Sequence, residues 1–220
     1  QRQMCIRDSH NTRILRDWEK NPSLLEVLED FNEAMARAGA LLIHYRAHFV
    51  GKLAPRAAQI QRDFSGDREE LTLSYQTVGT VRNPLGPTVS IYEDLRAHQD
   101  SHRRAELEAR SCLSGPHKDD LAAWIDGQPA RQFASQGQTR TAALSLKLAE
   151  RELFEDDTGQ WPVLLLDDVL SELDARRQDF VLDRITGGQV FITSCEAPAG
   201  EISRGKILHI HQGALVDSPN

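Results

Sequence analysis

The stretch WPVLLLDDVLSELD at 161–174 constrains the fold most, because an apolar run within it ends directly in two acids. Residues 163–166 are four aliphatic residues behind a proline, which predicts a buried parallel strand. Ligands of open α/β sheets bind outside the carboxyl ends of strands, so Asp167 and Asp168 stand where a ligand would lie. An acid there can hold Mg²⁺, and its neighbour, which points the other way, can orient an attacking water. The alternative is that both acids only cap the loop after a core strand.

Strands and helices alternate along the second half of the chain, and this pattern predicts an α/β layer. The stretch LAAWIDGQPARQF begins as a strand, turns at Asp126 and Gly127, and returns as a second strand. The elements predicted after this hairpin are a helix at 137–154, a strand at 162–167, a helix at 174–185, and strands at 189–193 and 206–210. A predicted boundary near residue 111 separates this region, 112–220, from the one before it.

The region at 11–111 is predicted to be mainly helical. Its apolar residues recur in alternating steps of four and three, which places them on one helix face. The stripe consists of Leu24, Leu28, Phe31, Met35, Ala38, Leu42, Tyr45, Phe49, Leu53, Ala57, Ile60 and Phe64. Pro55 removes a backbone donor, so we expect a break or kink there and two long helices. A strand at 71–75 and a third helix at 91–110 follow, and the whole region is interpreted as a helical arm without chemistry of its own.

The first ten residues, QRQMCIRDSH, show neither helical nor strand periodicity and resemble translated sequencing-adapter read-through. We interpret 1–10 as a non-native tail and exclude it from reasoning about the fold.

Composition is that of an ordinary globular protein, with 40% hydrophobic and 27% charged residues. The formal net charge is −7, so a contact with DNA would need a local basic patch. Cys5, Cys112 and Cys195 are widely spaced and form no C-x-x-C pair, which indicates neither a zinc site nor a disulfide framework. This cysteine usage predicts a reducing, cytoplasmic setting, and no apolar stretch of the sequence is long enough to cross a membrane.

A polar loop that contains a glycine, ASQGQTR at 134–140, runs directly into a helix pattern. Ser135 is a suitable N-cap, and Gly137 lets a ligand approach the backbone closely. The amides of the first turn point outward at the positive end of the helix dipole, which suits a phosphate. Taken alone, the loop is better explained as a capped helix with no ligand. Its place in the chain favours the phosphate, because the acidic strand end and then SELD at 171–174 follow in fixed order.

Three basic residues recur along the helix after this loop at intervals of seven and four, so they share a face. They are Arg140, Lys147 and Arg151. They are candidates for contacts with DNA or phosphate, and a solvated helix face is the alternative. In the loop before the hairpin, His117, Asp119 and Asp120 lie close together in the sequence. Capping and turn hydrogen bonds explain these acids better than a metal site does.

Together these elements resemble the C-terminal half of RecF-type ATPases, DNA repair and replication proteins related to SMC and ABC ATPase heads. SQGQTR resembles the signature motif, and LLLDDVLSELD resembles a Walker B motif followed by a D-loop. GPHKDDL at 115–121 resembles a loop typical of the family, and the helical 24–110 section resembles its arm domain. Thr193 and Ser194 stand where related ATPases have a switch histidine. The resemblance implies an α/β fold, the C-terminal lobe of a P-loop ATPase head of ABC/SMC type, with a helical arm domain.

The resemblance also implies a role for each matching residue. Asp167 would bind Mg²⁺, and Asp168 would take the place of the glutamate that polarises water in many ABC ATPases. Ser171 and Asp174 would form the D-loop across a dimer. Four signature residues would contact the γ-phosphate of ATP held by the opposite subunit, namely Ser135, Gln136, Gly137 and Gln138.

The implied function is ATP-dependent DNA binding in recombinational repair, replication restart and the SOS response. Such a protein would bind DNA as an ATP-gated homodimer at gaps or at junctions of single-stranded and double-stranded DNA. It would hydrolyse ATP weakly and work with the mediator proteins RecR and RecO. Two alternatives stay open: a non-catalytic helical interaction module whose acids are structural, and another SMC-class ATPase head. Such heads carry coiled-coil arms far longer than the stripe at 24–64, which favours the RecF type.

The chain departs from the family pattern in one respect, because it contains no G-x-x-x-x-G-K-[ST] loop. The lysine and the backbone amides of that loop are the main cradle for the β- and γ-phosphates. We therefore expect the chain to be an N-terminally truncated part of such a protein, and we expect it not to hydrolyse ATP alone.

Overall fold

The computed structural model describes residues 12–195 and 205–216, so the predicted non-native tail at 1–10 lies outside the described residues. The chain divides into two compact units, Gln1–Leu153 and Phe154–Asn220. The predicted division at residue 111, between an arm and an ATPase lobe, stays a prediction. Among the described helices, none combines the length and apolar character that a membrane span needs.

One long helix dominates the first unit. After a short helix at 12–17 (α1), helix α2 covers Leu24–Ser65, which is 42 residues. Pro55 lies inside α2, so the expected division into two helices is wrong. A proline in a helix leaves the carbonyl four residues earlier without its usual donor. That carbonyl belongs to Gly51, which is exposed, so water can bond to it and the helix continues.

The buried face of α2 differs from the predicted stripe along the middle of the helix. Leu28 and Phe64 near its ends are buried as predicted, but Tyr45 is 67% and Phe49 43% exposed. A stripe with a repeat of 3.5 residues drifts around a straight helix by ~20° per heptad, so it cannot stay on one face over this length. Smaller residues fill the core instead, against helix α3, Thr88–Ala109, and the loop before it. That core cluster consists of Ala36, Ala40, Ile43, Val78, Val81, Ile91 and Leu95.

A three-stranded antiparallel sheet completes the core of the first unit. Its strands follow the chain in the order β1 (Leu71–Gln76), β2 (Asp120–Ile125) and β3 (Gln128–Pro129). The turn between β2 and β3 has positive φ angles of 51° at Asp126 and 75° at Gly127. Two-residue hairpin turns of type I′ require positive φ at both central residues, so the predicted hairpin is confirmed.

Two helices follow the hairpin. Helix α4 is a single turn, Ala130–Phe133, and α5 covers Gln136–Thr158. The side chains of Ala142, Leu148 and Leu153 on α5 are buried, which anchors this helix on the core. The predicted helix at 137–154 is therefore confirmed, with one extra turn at its end.

The second unit is built around a pair of parallel strands. Strands β4 (Leu164–Asp167) and β5 (Val190–Thr193) pair in parallel, as the sequence predicts. A 3₁₀ turn (Leu170–Glu172) and helix α6 (Ala175–Arg184) connect them. This strand–helix–strand connection brings the ends of both strands to the same edge of the sheet.

The strand β4 is buried on one face only, which corrects the expectation of a fully buried strand. Leu164 and Leu166 are 8% and 5% exposed, whereas Leu165 is 70% exposed. On β5, Phe191 is 50% exposed. Because side chains alternate along a strand, an apolar run shows that a strand is present but not how many faces are covered.

The last described element of the second unit is a small hairpin. Strands β6 (His209–His211) and β7 (Ala214–Val216) pair antiparallel. The sequence pattern predicted a single strand at 206–210. Gly213 in the connecting turn has a φ of 80°, which glycine adopts without strain.

Candidate functional site

Two parallel strands end side by side, and their ends carry three of the predicted site residues. Asp167 ends β4, Thr193 ends β5, and the two residues are partners in the ladder. Asp168 is the first residue after β4. In an open α/β sheet, ligands bind outside these carboxyl ends. The geometry therefore places both acids and the threonine at an edge that is suited to a ligand.

The hydroxyl of Thr193 connects the two acids. Its Oγ1 donates to Oδ1 of Asp167 at 2.5 Å and accepts from the backbone amide of Asp168 at 3.0 Å. The same amide also lies 3.1 Å from the carbonyl oxygen of Thr193. One hydroxyl thus orients the carboxylate of Asp167 and holds the backbone of Asp168. Sequence reasoning identified this position only as a switch, because nothing local links residues 167 and 193.

A second hydroxyl orients the carboxylate of Asp168. Ser171 Oγ is 2.7 Å from Oδ1 of Asp168 and 2.9 Å from its carbonyl oxygen. Asp168 has a φ of 52°, a left-handed conformation that Asp and Asn tolerate better than most residues. Asp174, the other predicted D-loop residue, caps α6 by accepting the amide of Arg177 at 2.9 Å. Within one chain, therefore, Ser171 orients the carboxylate of Asp168, and Asp174 caps helix α6.

The oxygen atoms at this edge are chemically suited to Mg²⁺. Mg²⁺ prefers oxygen ligands, and in nucleotide sites it uses one or two carboxylates together with phosphate oxygens and water. Asp167 is exposed and has the hydroxyl of Thr193 beside it. Over residues 12–195 and 205–216, no group of three or more His, Cys, Asp and Glu side chains is arranged to hold a metal. Asp167, with the hydroxyl of Thr193 beside it, is a residue at this edge that could hold such an ion.

The predicted phosphate loop forms a capping box in the first unit. The backbone amide of Gln138 donates to Ser135 Oγ at 3.2 Å, and the backbone amide of Ser135 donates to the side-chain Oε1 of Gln138 at 2.9 Å. The N-cap prediction for Ser135 is confirmed. A capping box satisfies two of the orphan donors of a helix N-terminus. The amides of Gln136 and Gly137 have no acceptor within a regular helix, and both residues are exposed, so these two amides are the ones available to an anion.

The three basic residues of α5 differ in their surroundings. Lys147 is exposed and lies 2.9 Å from Oε2 of Glu150. Arg140 is half-buried. Arg151 is 4% exposed, and burial lowers the pKa of its guanidinium. A contact with an external phosphate is therefore open to Arg140 and Lys147, whereas Arg151 would first have to be uncovered.

An acid of the GPHKDDL loop belongs to a buried network that sequence reasoning missed. The carboxylate of Asp119 accepts a hydrogen bond from Arg46 at 3.0 Å and another from the hydroxyl of Tyr75. Arg46 also donates to the carbonyl of Pro116 at 2.6 Å. Burial, and then the bond to Asp119, raise the pKa of the Tyr75 hydroxyl. Local capping does not explain this acid, because its partners come from the distant elements α2 and β1.

Similar curated proteins are described as DNA replication and repair protein RecF. The relative from Symbiobacterium thermophilum is 40% identical over 164 residues, which is 74% of this chain and 44% of the relative. The relative from Bacillus subtilis is 37% identical over 205 residues, 88% of this chain and 52% of the relative. The relative from Clostridioides difficile is 33% identical over 216 residues, 96% of this chain and 57% of the relative.

Two solved structures of the recombination mediator protein RecF match the fold. The RecF-ATPrS structure has a TM-score of 0.83 at 31% identity, and it matches 97% of this chain. The RecF-ATP structure has a TM-score of 0.82 at 33% identity and matches the same share of this chain. In sequence and in fold, this chain matches RecF over nearly its whole length.

The family resemblance and the α/β fold class are both confirmed by these matches. No family model matches this chain. It spans about half the length of the curated relatives it matches, 44% to 57% of the three named above. It covers 56% of each solved RecF structure.

Proposed function

We propose that this chain supplies the signature, Walker B and D-loop parts of an ATP-gated, DNA-binding RecF protein of DNA repair and replication. The observation that carries the proposal is the hydroxyl of Thr193, which bonds to both Asp167 and Asp168 at the carboxyl ends of β4 and β5. Two acids that only capped a loop would not need an oriented carboxylate at a ligand-binding edge.

Each residue at the strand ends has a proposed task. Asp167, oriented by Thr193, would hold Mg²⁺, which when bound neutralises charge on the transferred phosphoryl group. Asp168, oriented by Ser171, would accept a hydrogen bond from the attacking water and align it. Ser194, the residue after Thr193, would be the second residue of the switch position. A carboxylate that accepts a hydrogen bond from a fixed hydroxyl keeps its direction, which suits a site that must be preorganised.

The signature segment would act on a nucleotide held by a second subunit. The exposed backbone amides of Gln136 and Gly137 would donate hydrogen bonds to the γ-phosphate. The capping box of Ser135 and Gln138 stabilises the N-terminus of α5. The D-loop residues Ser171 and Asp174 would adjoin the same dimer interface. ATP would thus close a homodimer on DNA, at gaps or at junctions of single-stranded and double-stranded DNA.

The DNA contact would be mainly to phosphates and would weaken as salt increases, because the net charge of −7 leaves only local basic side chains to provide it. Arg140 and Lys147 are the described candidates. By family resemblance, RecR and RecO would be the protein partners.

The test is a fusion that places the upstream half of a relative, including its G-x-x-x-x-G-K-[ST] loop, before residue 11. We expect the fusion to bind ATP and to form a dimer with it. Asp168→Asn should slow hydrolysis by at least about tenfold without weakening ATP binding. Asparagine tolerates the left-handed backbone and can still accept from Ser171, so the folded site is preserved.

Asp179→Asn is the matched control, because Asp179 is an exposed acid in α6 away from the strand ends. Its hydrolysis rate should equal that of the unchanged fusion. If the fusion does not bind ATP, the alternative interpretation as a non-catalytic interaction module is favoured. The 220-residue chain alone should show no Mg²⁺-dependent turnover, and robust turnover by it would contradict the assignment.

A further inference from the structure

A buried chain of polar side chains connects α2 with the helix that carries the signature segment. Ser145 Oγ on α5 donates to Oε1 of Gln61 at 2.9 Å. Gln61 Nε2 on α2 in turn donates to Oε2 of Glu69 at 2.7 Å. Gln61 and Ser145 are both 0% exposed. We call these three side chains the polar relay.

The end of the relay is fixed by the turn after α2. Ser65 Oγ accepts the amides of Arg68 at 3.2 Å and Glu69 at 3.1 Å, and it donates to the carbonyl of Arg62. Ser65 itself is 3% exposed. This turn holds Glu69 where its carboxylate reaches back to Gln61. The amide of Gln61 therefore has a partner on each side, one from each neighbouring segment.

The other end of the relay lies on the same helix face as the signature glycine. Gly137, Thr141 and Ser145 are spaced by four residues, so they lie above one another on α5. Thr141 is 0% exposed, and its hydroxyl donates to the carbonyl of Gly137 at 2.8 Å. The buried polar contacts of this face thus extend from Gln61 to the first turn of α5.

Apolar packing and a buried hydrogen bond constrain a helix differently. Buried apolar side chains of α5 such as Leu144 and Leu148 can shift slightly and still stay in apolar surroundings. The hydrogen bond between Ser145 and Gln61 does not tolerate such a shift, because rotation of α5 would leave a buried donor and a buried acceptor without partners. The relay therefore selects one rotation of α5 about its axis, and with it the direction of the amides of Gln136 and Gly137.

We propose that Gln61 is a positioning residue for the signature segment, which it orients through Ser145. This inference rests on the proposed function, since it assigns the arm helix α2 the task of setting the direction in which the signature amides meet a nucleotide in trans. The residue contacts no ligand, and it acts only through the orientation of α5.

The first test needs no nucleotide and uses the 220-residue chain. Gln61→Met keeps an unbranched side chain of similar length but removes both hydrogen bonds. We expect amide hydrogen exchange at 138–145 to become at least about tenfold faster, while the amides of α3 keep their rates. Ser145→Ala removes only the last bond of the relay, and it should accelerate the same amides if Gln61→Met does not fold.

Gln59→Met is the matched control. Gln59 lies on the exposed side of α2, two residues from Gln61, and its amide also makes two side-chain bonds, to Asp63 at 2.8 Å and from Arg62 at 2.7 Å. Its exchange pattern should equal that of the unchanged chain. The inference is overturned if the amides at 138–145 keep their rates in the folded relay variants, or if all amides of the first unit accelerate equally.

The second test uses the fusion described above and follows ATP-dependent dimerisation. Gln61→Met should raise the dimer dissociation constant at least tenfold and leave the ATP affinity of the monomer unchanged, because the signature acts on the nucleotide of the other subunit. If the unchanged fusion does not dimerise with ATP, the proposed function is wrong. The hydrogen-exchange rates of the 220-residue chain still show whether the polar relay orients α5. If the fusion and its Gln61→Met variant dimerise equally, the positioning role alone is wrong.

Discussion

Thr193 and Ser171 determine the direction of the two acids at the strand ends. Each is a small hydroxyl residue, and each bonds to an acid at a distance of 2.5 to 2.7 Å. A hydroxyl can donate and accept at once, so Thr193 serves Asp167 and the backbone of Asp168 together. The acids could be identified from the sequence, whereas the bond from Thr193 to Asp167 could not, because it joins residues 26 positions apart.

A side chain at Gly187 in the second unit would be disfavoured both by the backbone conformation and by a steric clash. Its φ is 87°, and a Cβ atom there would lie 2.8 Å from Nε1 of Trp161. Gly159 also has a positive φ, 69°, but a Cβ would meet nothing within 4 Å. Gly159→Ala should cost about 1 kcal/mol through the backbone alone, and Gly187→Ala should cost about 1–3 kcal/mol more through the clash. Urea unfolding of both variants measures the difference, and equal losses would contradict the contact with Trp161.

At the scale of elements, the helix starts follow from local hydrogen bonds. Ser135 and Gln138 form a capping box before α5, and Asp174 caps α6. These bonds join residues three apart, so the sequence already contains both partners. Helix α2 shows the limit of such local rules, because Pro55 should have broken it and the exposed carbonyl of Gly51 allowed it to continue.

Replacing the cap of α6 tests its contribution to stability. Asp174→Ala removes the bond to the amide of Arg177 and should lower the free energy of unfolding by about 1 kcal/mol. Asp174→Asn keeps an acceptor oxygen and loses only the charge near the helix N-terminus, so its loss should be smaller. Thermal or urea unfolding of the two variants separates the effects. An equal loss in both would mean that the charge, not the hydrogen bond, stabilises the helix.

At the scale of the whole chain, buried polar groups tie distant segments of the first unit together. Tyr75, Arg46 and Asp119 join three segments, and His98 Nδ1 lies 2.8 Å from the hydroxyl of Ser114. His98 is also stacked on His102 with ring centroids 3.9 Å apart. Burial, and then the charge of His102, lower the pKa of His98.

This lowered pKa predicts a pH dependence of global stability. The unfolded chain takes up the proton of His98 at a higher pH than the folded chain does, so protonation favours unfolding. Stability should be complete above the unfolded pKa, about 6.5, and should fall as pH decreases from there towards the folded pKa. Urea unfolding between about pH 7.5 and 5 measures the slope.

His98→Gln should flatten that slope, because glutamine does not titrate and can still bond to Ser114. His48→Gln is the control, since His48 is exposed on α2. An unchanged slope in His98→Gln would show that other groups cause the pH dependence.

The sequence by itself determined most of the segments that become strands and helices, where the type I′ hairpin turns, and which two acids follow the parallel strand. These features depend on residues close together in the chain, through hydrogen-bond periodicity, turn geometry and helix caps. The resemblance to RecF-type ATPases followed from the order of such segments, from the signature loop to Asp167 and Asp168.

Only the tertiary structure decided which face of α2 is buried, which faces of β4 stay open, and which partners hold Asp119, Asp167 and Gln61. Each of these outcomes depends on groups that come from other segments of the chain. The sequence shows whether a residue is apolar or polar. Burial and hydrogen bonding also require a partner group, and the fold determines which group that is.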